Sequence, residues 1–278
     1  MTEKDNNWIS VGALGEAFAP DSNLTAPSPD LVGKTITLYF ENGDVIEHVF
    51  SSDSKMTWKV TAGEETGVSA EETYLATSLR PGIYFVDFVK ATVEKDTSVS
   101  IVLDLNENVA TCVVSRLPDA EGAHSSLLAR ALKNEELTLV RSEFHHASVN
   151  KPFDPAAKHH QETEELVGLR IRHRYNPKEL YEHIYLSPTR YTWQCLEGAE
   201  QGLADTDSCH YHKIGDHLYL FTWREKLVPT VGCVLMDHDS LKTTGKIFGY
   251  SDDDLTKTVN FPIGAYSEIA NWTKDATI

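Results

Sequence analysis

Ile83-Tyr84-Phe85-Val86-Asp87-Phe88 and Leu218-Tyr219-Leu220-Phe221-Thr222-Trp223 read as one strand written twice, 135 residues apart (218 − 83). Each is a short, largely apolar run with tyrosine in second place and an aromatic residue in last place. The same offset carries Leu31-Val32-Gly33 onto Leu166-Val167-Gly168, and Trp58 onto Trp193. Separate anchors at one offset mark an internal duplication, and its period is too long for a stacked solenoid repeat. Further on, Ser100-Ile101-Val102-Leu103 matches Gly232-Cys233-Val234-Leu235 at an offset of 132, a loop difference of three residues.

Around these anchors the texture is that of an all-β protein. Lys34–Phe40 and Val45–Phe50 alternate, and Asn42-Gly43 lies between them, the strongest short hairpin signal. Runs at Lys55–Val60, Tyr74–Ser78, Ile83–Val89, Ser98–Leu105 and Ala110–Arg116 continue the pattern. An antiparallel meander of this kind closes into a barrel to remove its edges. From Ser125 to Val140 the spacing of Leu127, Leu128, Ala131, Leu132 and Leu139 turns helical. It predicts a helix of about four turns capped by Ser125 or Ser126. The expected organisation is an N-terminal arm over 1–30, with a short helical turn near Ala13–Phe18, and a first barrel over 31–117. A helix and linker over 118–165, holding Phe144-His145-His146, then lead to a second barrel over 166–278.

Composition bounds the function. In 278 residues, 41% hydrophobic and 24% charged content is that of a globular protein. A net charge of −17 argues against nucleic acid and anionic membranes as partners, because phosphate binding needs a basic surface. The start, Met1-Thr2-Glu3-Lys4-Asp5-Asn6-Asn7, has no apolar segment of a secretory leader. Cys112, Cys195, Cys209 and Cys233 show no CxxC spacing, so reduced thiols in a cytoplasmic protein are expected.

A Leu-Val-Gly opening, an Asn-Gly hairpin and an aromatic strand followed by a Val-rich one resemble the calycin-type barrels of phenolic acid decarboxylases. The duplicated arrangement with a His-rich second half is similar to the family named for molybdenum cofactor biosynthesis protein F (MoaF). That resemblance implies two tandem calycin- or lipocalin-like barrels over residues 31–117 and 166–272. The decarboxylases carry two tyrosines on alternate positions of the first strand, an arginine on a following strand and a glutamate after a tryptophan. In the second copy Tyr175 matches the second tyrosine, His173 stands at the first and Glu225 matches the glutamate. Trp193 lies near the place of the arginine, with Arg190 out of register. The first copy has Leu38, Phe40 and Lys90 instead, so the resemblance implies one working cavity, in the second barrel.

Strand alternation supports a site in the same stretch. It sends His173 with Tyr175, His210 with His212, and Trp223 with Glu225 to shared faces. A carboxylate inside an apolar barrel has its pKa raised by desolvation, which poises Glu225 as a general acid or base. His173 and Tyr175 are the partners that hold a proton or bind a developing oxyanion. His210, His212, Trp193 and Trp223 are the expected substrate contacts. The function this predicts is a cofactor-independent lyase or isomerase acting on a small aromatic or carbonyl-bearing molecule. The alternatives are a lipocalin-like carrier of a hydrophobic ligand and a metal-dependent barrel enzyme. In the latter, His210 and His212 would be joined by Glu225 or His173 as metal ligands. A homodimer stays open.

Overall fold

The computed structural model describes residues 8–119, 122, 125–252 and 255–273. Residues 1–7, on which the leaderless reading rests, and the end of the second-barrel span, 274–278, lie outside the described residues. The chain divides into two compact units. One is Thr25–Leu117 with Arg141–Gln161; the other combines Met1–Leu24, Pro118–Val140 and Glu162–Ile278.

The first unit is a closed eight-stranded antiparallel barrel. Its strands are β1 (Thr35–Phe40), β2 (Val45–Phe50), β3 (Lys55–Ala62), β4 (Ser69–Arg80), β5 (Ile83–Val89), β6 (Thr97–Asp104), β7 (Val109–Arg116) and β8 (Arg141–Val149). Each strand pairs with the next, and β8 returns to β1 through Leu38 opposite Val149 and Phe40 opposite Ala147. The closing strand corrects the expected boundary, since Phe144-His145-His146 lie inside β8 and not in a linker. Its alternation is hidden because inward Ala147 and Val149 come only at its end, after Arg141, Glu143 and His145.

In the second unit a helix, α1 (Val11–Phe18), precedes everything else. A second helix, α2 (Leu127–Leu132), lies in the inserted segment, and a two-residue strand, β9 (Gln161–Glu162), spans the unit boundary. The barrel strands are β10 (Leu169–Arg174), β11 (Leu180–Ser187), β12 (Arg190–Glu197), β13 (Ala204–Gly215), β14 (Leu218–Glu225), β15 (Thr230–Asp237), β16 (Lys242–Tyr250) and β17 (Thr258–Trp272). The β12–β13 pairing and the return of β17 to β10 close it. α2 is shorter than the predicted helix. Ser126 caps it as expected, accepting from the Ala129 amide at 3.1 Å, but Asn134 turns left-handed (φ 56°) two residues past its end.

Register confirms the duplication at atomic level. Ile36 opposes His48 and His48 opposes Trp58; 135 residues on, Ile171 opposes His183 and His183 opposes Trp193. Gly33 and Gly168 both have positive φ (77° and 88°), which is why glycine recurs in the opening turn. One offset needs correction. Phe88 faces Val99 and Trp223 faces Gly232, so the later strands correspond at 133 (232 − 99) and not 132. An offset of 132 would turn every inward side chain outward.

Candidate active site

The interior of the second barrel is aromatic. Tyr175, Tyr181, Tyr185, Tyr191, Trp193, Tyr211, Phe221 and Trp223 are all buried in one cluster. Phe221 stacks on Trp223 with ring centroids 5.2 Å apart, and Tyr191 meets Phe221 edge-on at 5.0 Å. Gly232 makes the space for Trp223, because a Cβ there would lie 2.0 Å from the indole.

Toward one end this cluster leaves a small cavity of about 30 Å³, walled by Tyr175, Tyr181, His183, Tyr191, Trp193, Glu200, Trp223 and Glu225. Helix α1 closes it with Leu14 and Phe18. Three contacts seat the helix. Phe18 stacks on Tyr175 at 4.5 Å, Asn176 Nδ2 donates to the carbonyls of Ala17 (2.9 Å) and Phe18 (3.2 Å), and the Gly12 amide donates to Ser251 O at 3.2 Å. Gly249 and Gly15 permit the approach, since added Cβ atoms would meet Val11 at 2.7 Å and the Phe261 ring at 3.0 Å. The N-terminal arm of the sequence reading is therefore a stopper for this barrel.

Glu225, at the end of β14, shares the inner face with Trp223, whose Nε1 donates to its Oε1 at 3.1 Å. The residue keeps some contact with solvent, but protein crowds its carboxyl on all sides. Burial, reinforced by the charges of Asp207 and Glu200, pushes its pKa well above the usual carboxylate range. Glu200 is also raised by burial although Tyr181 donates to it at 3.0 Å. Asp207 is raised too, against the pull of Lys226, and accepts from Trp193 Nε1 at 3.1 Å. Tyr175 is pushed up, first by burial and then by the neighbouring Glu225 charge. In each of these groups burial disfavours the charged form.

The remaining expected residues divide. His173 is buried beneath the cavity rather than in its wall; its Nδ1 is 3.0 Å from Ser267 Oγ and its ring lies 4.6 Å from His183. Burial holds it neutral, with a pKa well below the ordinary histidine value. His210 and His212 share a face, but it is the outer one. Cys209 is the residue opposite Trp223, while His210 opposes Thr222 and lines an outer recess with Glu162 and Thr189. These two histidines do not converge with Glu225. Among the described residues no group of three or more His, Cys, Asp or Glu side chains is placed to hold a metal ion. His183, absent from the expected set, takes the position inside, and burial lowers its pKa to about 3. Its signal was the 135-residue offset from His48.

A tandem pair of closed β-barrels, the second carrying buried carboxyls among aromatic walls, is the class that fold and site define. The profile of the MoaF N-terminal domain matches residues 6–119, and that of the MoaF C-terminal domain matches residues 160–273. The protein MoaF of Klebsiella aerogenes is 38% identical over 268 residues, 96% of this chain and 97% of the relative. The chain belongs to the MoaF family. A solved structure from Burkholderia vietnamiensis, described with reservation as a beta-lactamase, is 14% identical. It spans 45% of this chain and 98% of its own at a TM-score of 0.33, a likeness that carries no argument. No helix among the described residues is long and apolar enough to cross a membrane.

Proposed function

We propose that the second barrel is an acid–base pocket for a small aromatic or carbonyl-bearing molecule, used in a cofactor-independent lyase or isomerase reaction. The observation that carries this reading is Glu225, a crowded carboxyl with a raised pKa whose hydrogen bond comes from Trp223 inside an aromatic cavity. With its charged form disfavoured by burial, it can give a proton to a substrate atom and take one back. Tyr175, in the same wall, supplies a hydroxyl to an oxygen that gains charge. Trp193 and Trp223 offer flat faces to a planar body. The free space of about 30 Å³ has room for little more than a water molecule, so substrate entry requires α1 to lift Leu14 and Phe18 from the mouth.

The test is proton exchange. Small enolisable ketones and hydroxylated aromatic acids are incubated with the protein in deuterated water and followed by NMR. Wild type should exchange or convert at least one, and Glu225→Gln should lower turnover by at least a hundredfold while leaving affinity within a few-fold. A protein that binds such molecules without exchanging or converting any of them is a carrier. The inward-facing groups favour that second reading in one respect, because His210 and His212 stand outside the cavity.

A further inference from the structure

A larger cavity than the one inside the second barrel lies in the first barrel. It has a volume of about 170 Å³ and walls that include Phe40, His48, Trp58, Phe88, Ile101 and Cys112. An apolar cavity of about 150 Å³ accepts one benzene ring, so this space fits a body of that size. Its framework is the same as in the second barrel, with His48 opposite Trp58 as His183 is opposite Trp193.

At two homologous positions the charge differs. Lys90 stands at the position of Glu225 (225 − 90 = 135), and Arg116 at that of Gly249 (249 − 116 = 133), since Thr97 opposes Arg116 and Thr230 opposes Gly249. Gly249 is the residue that admits α1 to the second barrel. With arginine in its place the first mouth gains a cation and loses the room for such a helix. Lys90 Nζ lies 5.1 Å from the centre of the Trp58 ring, and both residues line the cavity. One further group there wants a partner. Trp58 is 4% exposed, and its Nε1 has no hydrogen-bond partner among the described residues. An indole N–H and an ammonium are donors only. The ligand that satisfies them carries an acceptor oxygen.

We propose that the first barrel is a second, independent binding site, for a small apolar acid with a body of about one ring and a carboxylate that meets Trp58 Nε1 and Lys90. Acidic groups are present at the mouth and set the competition. Glu94 pairs with Lys90 at 3.1 Å, Glu143 pairs with Arg116 at 3.3 Å, and Asp44 and Glu65 line the rim. The ligand carboxylate displaces the more exposed partner, Glu94, from Lys90 and brings its apolar body into the barrel.

The experiment uses the full chain labelled with ¹⁵N and follows the indole N–H signals. Trp58 is identified by its loss in Trp58→Phe and, independently, by its shift in Lys90→Gln; Trp193 and Trp223 are identified by their own Phe variants. Benzoate and cyclohexanecarboxylate should each move the Trp58 signal saturably at millimolar concentration, and Lys90→Gln should weaken both roughly tenfold. Benzylamine, of the same size and opposite charge, should leave the signal in place. The assignment is overturned if neither acid moves the Trp58 signal, if benzylamine moves it equally, or if the acids move only Trp193 and Trp223.

Discussion

Replacing His48 by glutamine should change how the first barrel responds to acid. Burial lowers the His48 pKa to about 4, against a smaller opposing pull from the backbone of Ile36 and Ile46. In the unfolded chain the ring titrates near the ordinary value of about 6.5. Between these values the unfolded state takes up a proton that the folded state refuses, so stability falls as pH drops. The loss per buried ring reaches about 3 kcal/mol once pH has fallen to the folded value. His183 adds a loss of the same sign that extends lower, to about pH 3. Urea denaturation of wild type and His48→Gln, at neutral pH and at about pH 4.5, checks this. The variant should lose less stability between the two conditions, and equal losses would sink the idea. At this scale the sequence was only partly legible. Alternation says which residues share a face, not which face is inside. It therefore grouped Trp223 with Glu225 and His210 with His212, but the inward side was fixed by the pairing of Cys209 with Trp223.

Among the elements, α1 is the one whose role depends most on tertiary contact. Eight residues are too few to be helical alone, and Gly12 and Gly15 lower the propensity further. What holds α1 is the barrel beneath it: Phe18 on Tyr175, Val11 against Gly249 and Asn176 on the final carbonyls. Phe18→Ala should therefore cost the second unit roughly 3 kcal/mol and widen the cavity beside Tyr175. A thermal melt measures the first effect, and faster quenching of tryptophan fluorescence by acrylamide measures the second. If α1 gates entry, the same variant should also speed ligand association. The Asn42-Gly43 hairpin and strands β3 to β7 were readable because local turn chemistry and alternation agree there. Strand β8 was not, since its inward side chains include Glu143 and His145 at a barrel mouth, where polar groups are tolerated.

For the whole molecule, the two units interleave along the chain. Residues 118–140 belong with the second barrel, and Arg141–Gln161 then return to complete the first. A fragment of residues 31–117, the span that composition and turns suggest, lacks β8 and leaves β1 and β7 with open edges. Open edges pair with other chains. This fragment should elute as large aggregates in size-exclusion chromatography, whereas residues 25–161 should elute as a monomer with a cooperative melt. Equal behaviour of the two fragments would mean that β8 is dispensable. The duplication itself was legible because a repeated framework leaves recurring glycine, tryptophan and tyrosine at one offset. Its two cavities were not, because the exchange of Glu225 for Lys90 reads as decay until both are seen in barrel walls.

The stopper helix has a consequence for the order in which the chain assembles during synthesis. Residues 11–18 leave the ribosome before the strands of either barrel, yet their docking surface is built from β16 and β17, which emerge after the other strands of both. In between, the first barrel can close once residue 149 is out, while α1 remains without its seat. The contact of Gly12 with Ser251, 239 residues apart (251 − 12), thus waits for the later step, and contacts of that kind form slowly. The second barrel is consequently open while it forms and sealed afterwards, so a small molecule present at that stage can be enclosed without ever crossing the finished mouth.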